Sequence, residues 1–146
     1  MSASPRERVE RIDPEPVALR ASLRLLTERL AGLSEIRAAF FHGSAERGEP
    51  FRDLDIAVLV DRERISAGDD LRYGAGLSDE LSRASGYPVD VKVVNDAPPA
   101  FRDRVSRGSV LTCRSSAEVV RFKERAWDDW FDFRPVAMAY LRDMAG

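Results

Sequence analysis

His42-Gly43-Ser44-Ala45-Glu46-Arg47-Gly48-Glu49-Pro50-Phe51-Arg52-Asp53-Leu54-Asp55-Ile56-Ala57-Val58-Leu59-Val60 reads as a tight turn, a short polar segment and a strand that opens on two carboxylates. The strand follows from the β-branched and aliphatic residues between Ile56 and Val60, after which Asp61 and Arg62 return the chain to solvent. Side chains alternate across a strand, so Asp53 and Asp55 share one face while Leu54, Ile56 and Val58 share the other. Adjacent carboxylates repel, and a cation between them relieves the repulsion. Magnesium suits that place: it is a hard ion that takes oxygen ligands and shares them with substrate phosphates. Gly43 and Ser44 offer the complementary half, a turn whose backbone N–H groups and hydroxyl hold phosphate oxygens.

Outward from this stretch, the chain alternates strands with helices. Pro16 suits the first turn of a helix reaching about Ala31, with Val17, Leu19, Leu23, Leu26 and Leu30 as its buried stripe and Gly32 as its stop. Ile36 to Phe41 is a core strand that delivers the chain to the Gly-Ser turn. Asp70 to Ala84 is helical, with Leu71, Leu77 and Leu81 inward, although Gly74 and Gly76 weaken it. Gly86 and Tyr87-Pro88 turn into a third strand ending at Val94, which carries Asp90 among apolar residues. A helix from Asp96–Pro99 to about Arg107 and a short strand, Val110 to Cys113, follow. Ser115 and Glu118 have capping-box spacing for a long terminal helix, which Pro135 is expected to break or kink. The expected organisation is a mobile arm over 1–15, a core over 16–114 and a helical extension of the same domain over 115–146. The architecture is α+β, a small mixed sheet backed by helices.

Gly43-Ser44, Arg47-Gly48 and Asp53-Leu54-Asp55 leading into an apolar strand resemble the signature of the nucleotidyltransferase superfamily related to DNA polymerase beta. Its small single-domain members, the minimal nucleotidyltransferases (MNT), are the most similar. The resemblance runs from about Ile36 to Val94 and, more loosely, through the C-terminal helices. It departs from the usual pattern in a shortened segment between the Gly-Ser and Asp pairs, and in Arg52, where a Ser commonly precedes the first Asp. The resemblance implies that Asp53, Asp55 and Asp90 are catalytic and bind Mg2+, with two ions as the expectation. Gly43, Ser44 and Arg47 then bind the nucleotide, ATP, and Lys92 adds positive charge nearby.

Taken singly, each feature has a plain structural explanation: Gly-Ser pairs are common turns, paired Asp residues often mark a solvated edge, and exposed Arg is ordinary. An Asp inside an apolar strand is rarer, because a buried charge needs a partner. The three carboxylates in order, each with a strand context, favour a joint catalytic role. His42 and Cys113 read as packing residues, Cys113 as a small core side chain. Arg102, Arg104 and Arg107 read as the solvated face of a short helix.

The 146 residues suffice for one domain with one core. A net charge of −2 gives no global attraction to nucleic acid, and no direct nucleic-acid contact is expected. One cysteine excludes an intrachain disulfide, and no apolar run approaches membrane-spanning length. The expected compartment is the cytoplasm.

Phe122, Trp127, Trp130, Phe131, Phe133 and Tyr140 concentrate aromatic residues in the last quarter of the chain. They either pack the final helix on the sheet or form a docking patch. With this region included, the resemblance is strongest to MNT-type antitoxins, which are encoded beside a HEPN-domain ribonuclease toxin and adenylylate one of its tyrosines. It implies AMP transfer from Mg-ATP to a protein acceptor, with the HEPN toxin as partner. Two other functions remain open: a non-catalytic antitoxin acting by occlusion, and a transferase acting on a small molecule such as an aminoglycoside.

Overall fold

The computed structural model describes residues 10–145. Among them the chain forms α1 (Pro16–Ala31), β1 (Ile36–His42), β2 (Leu54–Val60), a 3-10 turn (Ala67–Asp69), α2 (Asp70–Ser85), β3 (Val89–Val93), α3 (Pro99–Ser106), β4 (Ser109–Cys113) and α4 (Ser116–Ala145). The sheet order is β3-β2-β1-β4, with β2 and β3 parallel and the other pairs antiparallel. The expected α+β architecture is therefore the observed one.

Alternation places a hydrophobic layer on each sheet face. Phe41, Ile56, Val58 and Val91 pack beneath Leu26 and Leu30 of α1 and Leu77 and Leu81 of α2. Phe40, Ala57 and Val94 face Val105 of α3 and Val119 and Phe122 of α4. Phe40 and Phe122 hold the second layer together with ring centroids 5.0 Å apart. Helix α1 starts as its sequence dictates: Pro16 occupies the first turn, and the Glu15 carboxylate accepts from the N–H groups of Val17 and Ala18.

Strand β3 lies at the sheet edge, and α2 covers it. The Ser78 and Ser82 hydroxyls each accept from the N–H groups of Val91 and Val89, at 2.8 Å. Edge donors that could recruit another strand are thus satisfied internally. The helix approaches closely enough for this because position 74 is glycine, where a Cβ would stand 2.7 Å from the Val91 carbonyl oxygen. After β2, the Asn95 amide pairs with both the N–H and the C=O of Val60 at 2.9 Å, ending the ladder. Arg62 donates to Asp70 and Asp96, joining the start of α2 to the turn after β3.

Several expectations differ. Leu71 is 89 % exposed. At roughly 100° per residue it stands about 120° from Leu77, and Gly74 takes the inward place. The Ser115/Glu118 capping box is replaced by an ion pair in which Arg37 Nε donates to Glu118 at 2.7 Å. Pro135 does not end α4, which continues to Ala145. Its missing N–H frees a carbonyl one turn back, on a helix segment open to water. Cys113 is exposed, because β4 is an edge strand. Residues 1–9 of the expected arm lie outside the described residues. Among residues 10–15, Ile12 exchanges backbone hydrogen bonds of 2.7 and 3.0 Å with Phe51.

Candidate active site

Sheet register builds the site. His42 of β1 stands opposite Asp55 of β2, and Asp55 stands opposite Asp90 of β3, so three strands present one row of polar side chains. The row lies on the α3/α4 face, because it shares parity with Phe40, Ala57 and Val94. Asp53 precedes β2 by one residue and repeats the parity of Asp55. Asp53, Asp55 and Asp90 each offer a carboxylate oxygen, and these oxygens lie within 4.8 Å of one another.

The electrostatics explain what this cluster requires. Burial, followed by the charge and hydrogen bond of Asp53 and the charge of Asp90, pushes the Asp55 carboxyl up from 3.8 to about 7. A half-buried trio of hard oxygen donors under mutual repulsion fits a divalent cation, whose charge removes the conflict. Lys92 supplies only partial relief, with its ammonium 3.7 Å from Asp90 at an exposed position.

At the end of β1 the backbone reverses through Gly43, whose φ of 88° is left-handed. The position also excludes a side chain, since a Cβ would fall on the Asp55 carboxylate. The turn coils back, with Arg47 N–H donating to the Gly43 carbonyl at 3.3 Å and Glu49 N–H to the Ser44 carbonyl at 3.0 Å. Among the described residues the N–H groups of Ser44, Ala45 and Glu46 find no protein acceptor, an arrangement suited to an anion. Arg47 reaches the Ser44 hydroxyl at 3.4 Å but is shared with Glu49 at 3.2 Å.

The turn and the Asp55–Asp90 pair open into one cleft of about 510 Å³. Gly43, Ser44, Arg47, Asp55, Asp90 and Lys92 all line it, while Asp53 lies at the adjoining surface with Ser44 and Asp55. Helix α3 and the residue that caps it supply a wall that sequence reasoning missed: Phe101, Arg104 and Arg107. Arg102 points away and donates to Asp129 of α4 at 2.7 Å. The available signal was angular, since Arg104 and Arg107 share a helical face and Arg102 does not. His42 packs edge-on against Phe101 with centroids 5.5 Å apart. Burial first, then the charges of Arg104 and Lys92, hold its imidazole down to about 4, so it is neutral near pH 7.

The mixed sheet thus carries three convergent carboxylates beside a glycine-serine turn. Residues 25–117 match the "Polymerase beta, Nucleotidyltransferase" family over more than half of the chain, and the protein belongs to that family. No curated protein matches it in sequence. Among solved structures, a chain of the complex of tri-AMPylated Shewanella oneidensis HEPN toxin with MNT antitoxin is similar, with a TM-score of 0.70 and 17 % identity over 87 % of this chain and 98 % of that one. A toxin–antitoxin structure with AMP-PNP gives a TM-score of 0.67 and 19 % identity, covering 89 % and 98 %. The MntA–HepT toxin–antitoxin gives 0.65 and 16 %, covering 90 % and 100 %.

Proposed function

We propose that the chain is an antitoxin that transfers AMP from Mg-ATP to a tyrosine hydroxyl of a HEPN-domain ribonuclease toxin. The observation that carries this reading is the carboxylate trio within 4.8 Å, opening beside the Gly43–Ser44 turn. The turn's N–H groups and the Ser44 hydroxyl hold the β- and γ-phosphates. Asp53 and Asp55 would hold Mg2+, and together with Asp90 they would hold a second ion. Bound there, the metal offsets charge on the attacking and leaving oxygens of an in-line displacement. Asp90 accepts the proton of the acceptor hydroxyl. The new bond joins that oxygen to the α-phosphorus, the bond from the α-phosphorus to the bridging oxygen breaks, and pyrophosphate leaves with its electron pair.

A protein acceptor suits the surface. Beyond Phe122, α4 leaves Trp127, Phe131, Tyr140 and Leu141 exposed, Phe131 at 80 %. Such a concentration of exposed apolar side chains on one helix fits burial by a partner. The HEPN-toxin complexes similar in fold support that partner's identity. No described helix is long and apolar enough to cross a membrane, and the proposed setting is the cytoplasm with the toxin.

The test is transfer of label from α-32P-ATP to purified toxin in Mg2+, with the antitoxin at one-twentieth or so of the toxin concentration. Catalysis is expected to label the toxin beyond the amount of antitoxin present. An unlabelled toxin neutralised only at equal dose would instead establish occlusion, a reading that the exposed face of α4 also favours.

A further inference from the structure

Among the described residues, Arg104 is a cation without an anion. Its neighbours on α3 are engaged, Arg102 with Asp129 at 2.7 Å and Arg107 with Asp103 at 3.2 Å. Among the described residues no carboxylate comes within ion-pair distance of Arg104. The side chain nevertheless has a fixed support: its guanidinium carbon lies 5.8 Å from the centroid of the Phe101 ring, and Lys92 Nζ lies 5.7 Å from the same ring. Two like charges are thus gathered over one aromatic platform inside the cleft that contains the phosphate turn.

Both cations line the cleft that Gly43 and Ser44 also line. Lys92 leans on Asp90, at the carboxylate end. The turn after α3 presses against the end of β1, where a Cβ on Gly108 would meet the Phe41 carbonyl and His42. Ser109 then donates to Glu46 at 3.0 Å, tying this region to the Gly43–Ser44 loop.

We infer that Arg104, propped on Phe101, is a second grip on the pyrophosphate portion of the nucleotide, facing the same phosphates as the Gly43–Ser44 turn. A guanidinium suits this task because its planar fork meets two phosphate oxygens at once. The assignment rests on the proposal that the cleft binds a nucleoside triphosphate. It adds the α3 wall to that site and makes Arg104 a contact for the leaving group.

Binding, measured without turnover, tests it. Fluorescent mant-labelled α,β-methylene-ATP and mant-AMP are titrated in Mg2+ into wild type, Arg104→Gln, Arg104→Lys and Phe101→Leu, with thermal melts to verify folding. Arg104→Gln is expected to weaken the triphosphate analogue by about tenfold or more, the scale of a lost charge-assisted pair, and to leave AMP affinity within about twofold. Arg104→Lys is expected to fall between, and Phe101→Leu to show a smaller loss in the same direction. Unchanged triphosphate affinity in Arg104→Gln, or an equal loss for AMP, overturns the assignment while the nucleotide site stands. Wild type binding neither nucleotide overturns both. Should Arg104→Gln not fold, unchanged triphosphate affinity in both other variants is the overturning result.

Discussion

At Asp55, folding and ionisation pull against each other. Its carboxyl sits near 7 in the folded chain against an ordinary 3.8, so between those values the folded state holds the proton more tightly. Metal-free stability therefore falls as pH rises through that window and is lowest above 7, where Asp55 must ionise beside Asp53. The melting temperature of metal-free wild type is expected to drop between pH 5 and pH 8. Asp55→Asn should flatten the drop and melt roughly 3 °C higher at pH 8, the shift of about 1 kcal/mol for a chain of this size after screening. Mg2+ should raise the midpoint of wild type at pH 8 and leave that of the variant nearly unchanged. Equal pH dependence in the two proteins would place the strain elsewhere. The Asp53–Asp55 pairing was legible in the sequence because a spacing of two fixes a shared face on any strand. The partnership with Asp90 depends on parallel register between β2 and β3, a non-local fact, and only the family pattern pointed to it. Arg104 was read as solvated because the angular pattern separates it from Arg102 without saying which side of α3 meets the cleft.

Elements were legible where burial is periodic. Strands β1, β2 and β3 emerged close to their observed bounds because apolar side chains cover both faces of the sheet. Helix α2 was harder, since its two glycines look alike in sequence and have different surroundings. Gly74 stands against the Val91 carbonyl, whereas a Cβ on Gly76 would meet nothing within 4 Å. Gly76→Ala is expected to stabilise by about 0.5–1 kcal/mol through helix propensity. Gly74→Ala should destabilise by about 1–3 kcal/mol, because the helix must move off β3 and weaken the Ser78 and Ser82 bonds to the edge. Chemical denaturation of the two variants side by side checks the contrast, and equal effects would contradict it. Leu71 shows the opposite limit: leucine alone does not reveal its angular position, and counting from Leu77 puts it outside the stripe.

For the molecule as a whole, α4 divides into a half that belongs to the core and a half that leaves it. Phe122 packs on Phe40, while the helix beyond Trp127 carries its apolar side chains into solvent. Composition showed the aromatic concentration without showing that split, because only the extent of the sheet decides where the helix runs off it. A double substitution, Phe131→Glu with Leu141→Glu, should leave the melting temperature within about 2 °C, since neither side chain is covered in the isolated chain. It should also weaken toxin binding by about tenfold or more in calorimetric titration, if that half is buried by the partner. Intact affinity would place the partner on another surface.

The most direct measurement is the intact mass of the HEPN toxin co-expressed with this chain, compared between wild type and Asp53→Ala/Asp55→Ala. Wild type is expected to add about 329 Da per AMP, through displacement of pyrophosphate at the proposed carboxylate site, and the double variant is expected to add nothing. An unmodified toxin held in a stable complex by both proteins would contradict catalysis and leave binding as the function.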